Sequence, residues 1–95
     1  MIIKFDDRNV NWSKDEKYNY YFIKNAENLL NDILKFRGYV MVMEVYKELG
    51  VDIDIDYWLE RPLNDAMWFF EERGLIDFKP VFKEDGTILL NLNID

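Results

Sequence analysis

The chain has 95 residues, of which 49% are apolar and 17% aromatic, and its net charge is −7 at pH 7. That length predicts a single domain over residues 1–95, and the apolar content excludes a disordered chain. There is no cysteine, no histidine, one serine (Ser13) and one threonine (Thr87). A disulfide framework is therefore excluded, and the usual thiol, imidazole and hydroxyl groups of catalytic sites are almost entirely missing.

The first residues, Met1 to Asp7, are too few and too acidic for a signal peptide. No apolar run approaches the roughly 18 residues that a membrane span needs. We therefore expect a cytoplasmic protein that does not bind membranes, is not an enzyme and needs no cofactor.

The N-terminal half is predicted to form a short strand and a long helix. Met1–Phe5 is apolar and ends at Asp6, as in a short strand. Ser13 and Glu16 have the spacing of a capping box, and the helix that they begin should continue until Gly38 ends it. Residues recurring at three- and four-residue spacing predict its buried face, which comprises Tyr18, Phe22, Ala26, Leu29, Leu30 and Ile33.

The middle of the chain is predicted to contain a short helix and an extended segment. Val42, Val45 and Leu49 share one helical face, which predicts a helix over 41–49 that ends at Gly50. The strict alternation of residues 51–57 is typical of a strand with one acidic face.

Residues 58–74 fit either of two structures. Pro62, in the first turn, and the helical spacing of Leu63 and Phe70 favour a third helix that ends at Gly74. The competing interpretation is a strand over 68–71 that turns at Gly74.

The C-terminal residues are predicted to form an antiparallel hairpin, because Asp85-Gly86 is a typical hairpin turn and the apolar residues on both sides of it alternate. Pro80 cannot donate to a ladder and should lie at an open edge. The expected fold is therefore α+β: an N-terminal strand, a long, a short and a third helix, and the hairpin, similar to a winged helix. The alternative is two helices with a three-stranded β-meander.

The negative charge is concentrated in the middle of the chain. Residues 1–37 carry a net charge of +1, whereas residues 44–72 hold nine acids and two bases. Such a surface repels nucleic-acid backbones and anionic lipid and attracts basic surfaces. The predicted partner-binding residues are Glu44, Glu48, Asp52, Asp54, Asp56, Trp58, Glu60, Asp65, Glu71 and Glu72.

Asp52, Asp54 and Asp56 do not predict a calcium loop, because the sixth position is Tyr57 instead of glycine and the twelfth is Leu63 instead of glutamate. Two interpretations remain open. Carboxylates about 7 Å apart along a strand resemble the phosphates of a nucleic acid. Alternatively, the acids keep the domain soluble and protect an edge strand from aggregation.

The aromatic residues exceed what one small core can hold. Tyr18, Tyr20 and Tyr21 cannot all face inward from one helix, and Trp68, Phe69 and Phe70 cannot all do so either. Some should be exposed as interface anchors, for a homodimer or another partner. A DNA-reading winged helix would need a basic recognition helix. Residues 62–73 are mainly acidic, which disfavours direct nucleic-acid binding.

Three short motifs resemble a stretch of small proteins from phages and integrative elements, mainly of low-GC Gram-positive bacteria. They are Gly38-Tyr39-Val40, Glu44-Val45-Tyr46 and Leu49-Gly50-Val51. The closing residues from Ile76 are similar to the last strands of those proteins, as is the preceding Trp68. The pattern of those proteins favours a strand around Trp68. This chain departs from the pattern there, because it lacks the preceding glycine and the longer turn.

The resemblance implies a mobile-element setting and no catalytic residues. Many small acidic proteins of that setting block host defence or host nucleic-acid enzymes. The expected function is therefore binding to a host or phage protein with a basic surface, by acidic mimicry. A winged-helix-like transcriptional regulator is the alternative.

Overall fold

A computed structural model describes residues 1–52, 55–62 and 66–92. The fold is α+β, as predicted. The strands are β1 (Ile2–Phe5), β2 (Tyr39–Met41), β3 (Met67–Phe69), β4 (Val81–Phe82) and β5 (Ile88–Asn91). The helices are α1 (Glu16–Arg37), α2 (Val42–Leu49), α3 (Ile55–Leu59) and α4 (Phe70–Arg73).

The strands of the described residues form two small antiparallel sheets. The first has the order β1-β5-β4, so the last strand lies between the first strand and its own hairpin partner. The second pairs β2 with β3, with Val40 opposite Trp68. The predicted hairpin is confirmed, whereas a meander is not formed, because β3 pairs with β2.

Helix α1 is continuous over 22 residues and organises the core. Gly38 ends it as predicted, at a positive φ of 90° that a side chain would disfavour. The predicted capping box of Ser13 and Glu16 is wrong, because Glu16 is the first helical residue instead of the third. Asp15 is the N-cap, and its carboxylate accepts from the backbone amides of Lys17 and Tyr18.

The predicted buried face of α1 is confirmed at Ala26 and Leu30, and Phe22 and Ile33 are half-buried against the core, but the face as a whole is rotated. Its buried residues are Asn19, Ile23, Ala26, Glu27, Leu30 and Leu34. Tyr18 and Leu29 are exposed instead. The prediction failed because it placed polar residues outside by type, whereas Glu27 and Asn31 face inward to bind backbone groups.

Those two side chains hold an extended segment that belongs to no sheet. The Asn31 amide donates to the Ile76 carbonyl over 2.9 Å and accepts from the Ile76 amide over 2.7 Å. The Glu27 carboxylate accepts from the Phe78 amide over 3.0 Å. The side chains of Ile76 and Phe78 are themselves buried in the core. The Phe78 carbonyl in turn accepts from the Asn91 amide of β5 over 2.8 Å. Segment 76–78 thus lies between β5 and α1, and the side chains of α1 bind it as a neighbouring strand would.

Two predictions for the middle of the chain are wrong. Asp56 and Tyr57 lie in α3 instead of a strand, because the chain turns there to bury Trp58. Residues 67–69, for which the helix was favoured, form β3, because Gly38 ends α1 and leaves β2 as a pairing partner. The competing strand interpretation, and the strand that the resemblance favours, are therefore correct at Trp68. A recognition helix across these residues is excluded.

We predict that Asn31→Ala lowers the free energy of unfolding by about 2 kcal/mol, because it leaves both polar backbone groups of buried Ile76 without partners. Urea unfolding measures the change. Asn28→Ala is the matched control, since Asn28 is an exposed asparagine of the same helix. Equal losses in the two variants would contradict the role of Asn31.

Candidate protein-binding surface

The predicted acids from Glu44 to Glu60 that belong to the described residues lie on α2, on α3 and on the connection between them. Glu44 and Glu48 are one turn apart on α2. Asp52 follows that helix. Asp56 and Glu60 are one turn apart at α3, where the Glu60 amide donates to the Asp56 carbonyl over 3.2 Å. Residues one turn apart share a helix face, so α2 and α3 each present a pair of carboxylates.

Helices α2 and α3 are packed together by aromatic rings. Tyr46 and Trp58 meet edge to face, with ring centroids 6.2 Å apart. The Trp58 side chain is only 5% exposed, and the Arg61 guanidinium lies 5.6 Å from its ring. Trp58 was predicted as a contact residue, but its burial gives it the role of supporting the two helices that carry the acids.

Glu44 is engaged within the fold. Its carboxylate accepts from the Arg37 guanidinium over 2.6 Å and from the Met41 amide over 2.8 Å, which caps α2. This hydrogen bond raises the pKa of Arg37. The charge of Glu44 is therefore compensated, and it contributes less to an acidic surface than the sequence suggests.

Asp52 lines a cleft of about 310 Å³ beside the segment after β1. Lys4, Asp6 and Arg8 line the same cleft. The Arg8 guanidinium lies 2.8 Å from the Asp6 carboxylate, and its hydrogen bonds lower the pKa of Asp6. Asp52 therefore lies near two cations. Neither Glu44 nor Glu48 lines the cleft.

Glu71 and Glu72 are exposed on α4. The start of α4 is hydrogen-bonded to the end of α1, because the Phe70 amide donates to the Gly38 carbonyl over 2.9 Å. Asp54 and Asp65 lie outside the described residues.

Among the described residues, ion pairs form at Asp6, Glu27 and Glu44. The other predicted acids of that part of the chain form none, namely Glu48, Asp52, Asp56, Glu60, Glu71 and Glu72. Within the same residues, no three acids come together as a metal site would need. We define the acidic surface as Glu48, Asp52, Asp56 and Glu60, the exposed or half-buried acids of α2, α3 and their connection.

The prediction that some residues of each aromatic cluster are exposed is confirmed by Tyr20, Tyr21 and Phe70, and Tyr18 is exposed against its predicted burial. Sequence reasoning missed Phe36, which is 95% exposed near the end of α1. Its helical register with Tyr18 and Leu29 was a signal that could have identified it. Tyr20, Tyr21 and Phe82 also line an open groove of about 460 Å³.

Comparison with protein-family models, curated proteins and solved structures found no match for this chain. None of the helices among the described residues is long and apolar enough to cross a membrane. The properties of the acidic surface are therefore inferred from the residues of this chain alone.

We predict that the α2–α3 packing weakens at alkaline pH through Tyr46. Burial raises the pKa of Tyr46 above its ordinary value, with a smaller effect from Tyr57, and its hydroxyl donates to the Met1 sulfur. The unfolded chain therefore loses this proton at a lower pH than the folded chain. Stability is retained below about pH 10 and falls above it.

Urea unfolding at neutral and at alkaline pH tests this prediction. Tyr46→Phe should lose less stability on raising the pH than the wild type. Tyr20→Phe, which removes an exposed hydroxyl, should lose as much as the wild type. An equal alkaline loss in all three proteins would show that Tyr46 is not responsible.

Proposed function

We propose that this chain is a non-enzymatic, acidic protein-binding module that occupies the basic surface of a nucleic-acid-binding or defence protein. The observation that carries the proposal is the acidic surface itself: Glu48, Asp52, Asp56 and Glu60 lie on α2, α3 and their connection and form no ion pair with a described residue. Unpaired carboxylates on packed helices are available to a basic partner at little conformational cost.

The spacing of these carboxylates supports mimicry in a revised form. The alternating strand that would have aligned Asp52, Asp54 and Asp56 does not extend through Asp56. Instead, Asp56 and Glu60 are one helical turn apart, which separates Cβ atoms by about 6 Å. That distance is close to the ~7 Å that a strand would have provided. The mimicry proposed here is therefore carried by helix faces.

The structural roles of the one serine and the one threonine are consistent with a non-enzymatic function. The Ser13 hydroxyl accepts from the Asp15 amide at the start of α1. Thr87 is nearly buried in the hairpin turn, where its amide donates to Asp85. Both residues therefore have a role in the fold.

A DNA-reading regulator is less well supported, because β3 occupies part of the segment that would have formed the recognition helix. The class of partner follows from the resemblance to mobile-element proteins and from the charge. A host protein that binds nucleic acid has the basic groove that an acidic surface fits.

The proposal is tested by capturing partners on the immobilised protein from a low-GC Gram-positive lysate, and then measuring the purified partner's affinity. We expect capture at low salt, loss at high salt and displacement by duplex DNA. The variant Glu48→Gln/Asp56→Asn/Glu60→Gln should bind the purified partner about tenfold more weakly or worse, because three attractions are removed at constant shape.

A second triple variant, Asp7→Asn/Glu16→Gln/Glu84→Gln, changes the net charge equally at exposed acids elsewhere. It should bind nearly as well as the wild type. If both triple variants weaken binding equally, only overall charge matters and the acidic surface is not the site. A captured partner that duplex DNA does not displace would exclude mimicry.

A further inference from the structure

The solvent face of α1 carries apolar residues that the chain's own core does not cover. Tyr18 and Leu29 are 50% and 46% exposed, and Phe36 is 95% exposed. At 3.6 residues per turn, positions 18, 25, 29 and 36 project within about 20° of one line along the helix. Tyr21 lies beside that line and is also exposed. Asn25 separates Tyr18 from Leu29 on this line, so the stripe is a set of exposed apolar residues on one helix face and not an unbroken row. Single exposed apolar residues are common, whereas several on one face are typical of an interaction surface.

We infer that this face of α1 is the interface of a homodimer, in which the α1 helices of two copies pack antiparallel about a twofold axis at the level of Glu27. The spacing of the stripe supports this arrangement. Tyr18 and Phe36 are equally distant from residue 27 along the helix, and so are Asn25 and Leu29. A twofold interface requires that if one residue contacts a second, the second contacts the first on the other copy. Antiparallel pairing meets that condition, with Tyr18 opposite Phe36 of the second copy.

The charge distribution favours α1, and not the acidic surface, as the face at which a second copy binds. Two chains of net charge −7 repel each other, most strongly through residues 44–72. Helix α1 carries four bases and three acids. The two copies can therefore approach along α1 without bringing their excess negative charge together.

The available area also fits an interface. An aromatic side chain buries about 200 Å², so the exposed fractions of Tyr18, Tyr21, Leu29 and Phe36 sum to about 500 Å² per chain. A stable interface buries about 800 Å² per partner, including its polar rim. The stems of Lys17 and Lys35, which flank the stripe on one side, can supply that rim.

Sedimentation of the full chain over a range of concentrations tests the inference. We expect a monomer–dimer equilibrium that strengthens with added salt, because salt screens the repulsion between the two acidic chains. This salt dependence is opposite to that of binding through the acidic surface, so the two proposals fail separately. A chain that remains monomeric at every concentration would overturn the inference.

Phe36→Glu should raise the dimer dissociation constant by about tenfold or more, since it places a charge opposite an aromatic anchor. Val10→Glu is the matched control, because Val10 is 93% exposed and lies outside α1. Both variants add one negative charge to each chain, and this effect is common to them. Beyond this shared effect, Val10→Glu should change the dimer dissociation constant less than about twofold. Circular dichroism and thermal unfolding confirm that both variants are folded. A dimer that Phe36→Glu leaves intact would place the interface elsewhere.

Single-cysteine variants test the antiparallel register, because the wild type has no cysteine. Across the proposed interface, Lys17→Cys of one copy lies about 11 Å from Lys35→Cys of the other. The same residue in the two copies is about 24 Å or more from itself. A short bis-maleimide should therefore cross-link the mixture of the two variants and neither variant alone. Efficient cross-linking of either variant with itself would contradict the antiparallel arrangement.

Discussion

The fold depends on how the buried backbone of residues 76–78 is satisfied. A buried amide or carbonyl without a partner costs about 1–3 kcal/mol, so the buried backbone groups of this segment need partners. The Phe78 carbonyl accepts from the Asn91 amide of β5, whereas three other groups of the segment are bound by side chains of α1. Asn31 provides both a donor and an acceptor for Ile76, and Glu27 provides an acceptor for Phe78. Helix α1 thereby acts as a neighbouring strand would, while its apolar residues pack against both small sheets.

This arrangement determines what the chain leaves outside. Because α1 turns Asn19, Glu27 and Asn31 inward to bind backbone, the apolar residues Tyr18, Leu29 and Phe36 remain on its solvent face. The acids of the acidic surface are exposed or half-buried, whereas Trp58 of α3 is buried. Two chemically different surfaces result: one apolar and nearly neutral, the other acidic. The proposed dimer and the proposed partner each use the surface that suits them.

Local signals in the sequence predicted the features that local physics controls. Gly38 and Gly50 end helices in left-handed conformations, and Asp85-Gly86 makes the hairpin turn. The alternation at 51–57 was misleading because a run of seven residues is short enough for tertiary contacts to override it. The helix that contains Asp56 and Tyr57 buries Trp58 against Tyr46. The alternating pattern of the sequence gives no indication of that contact.

The inward role of Glu27 and Asn31 could not be predicted from residue type, because both side chains are usually exposed. Their partners, Ile76 and Phe78, lie more than forty residues away in the sequence. The strand β3 could likewise not be predicted from its local sequence, because it forms by pairing with β2. For the acidic surface, the sequence identified the residues correctly as acids. It could not show that Glu44 is neutralised by Arg37 or that Trp58 is buried.

The most direct test is the rate of amide hydrogen exchange at Ile76 and Phe78, measured by NMR on the wild-type protein. If α1 acts as their strand partner, both amides will exchange as slowly as those of β5, although neither lies in a helix or strand. Rates as fast as that of the exposed Lys79, which is adjacent in the chain, would contradict the account. In that case, hydrogen bonding to residues 76–78 would not explain why α1 turns its polar side chains inward. The exposure of its apolar stripe would then need another explanation.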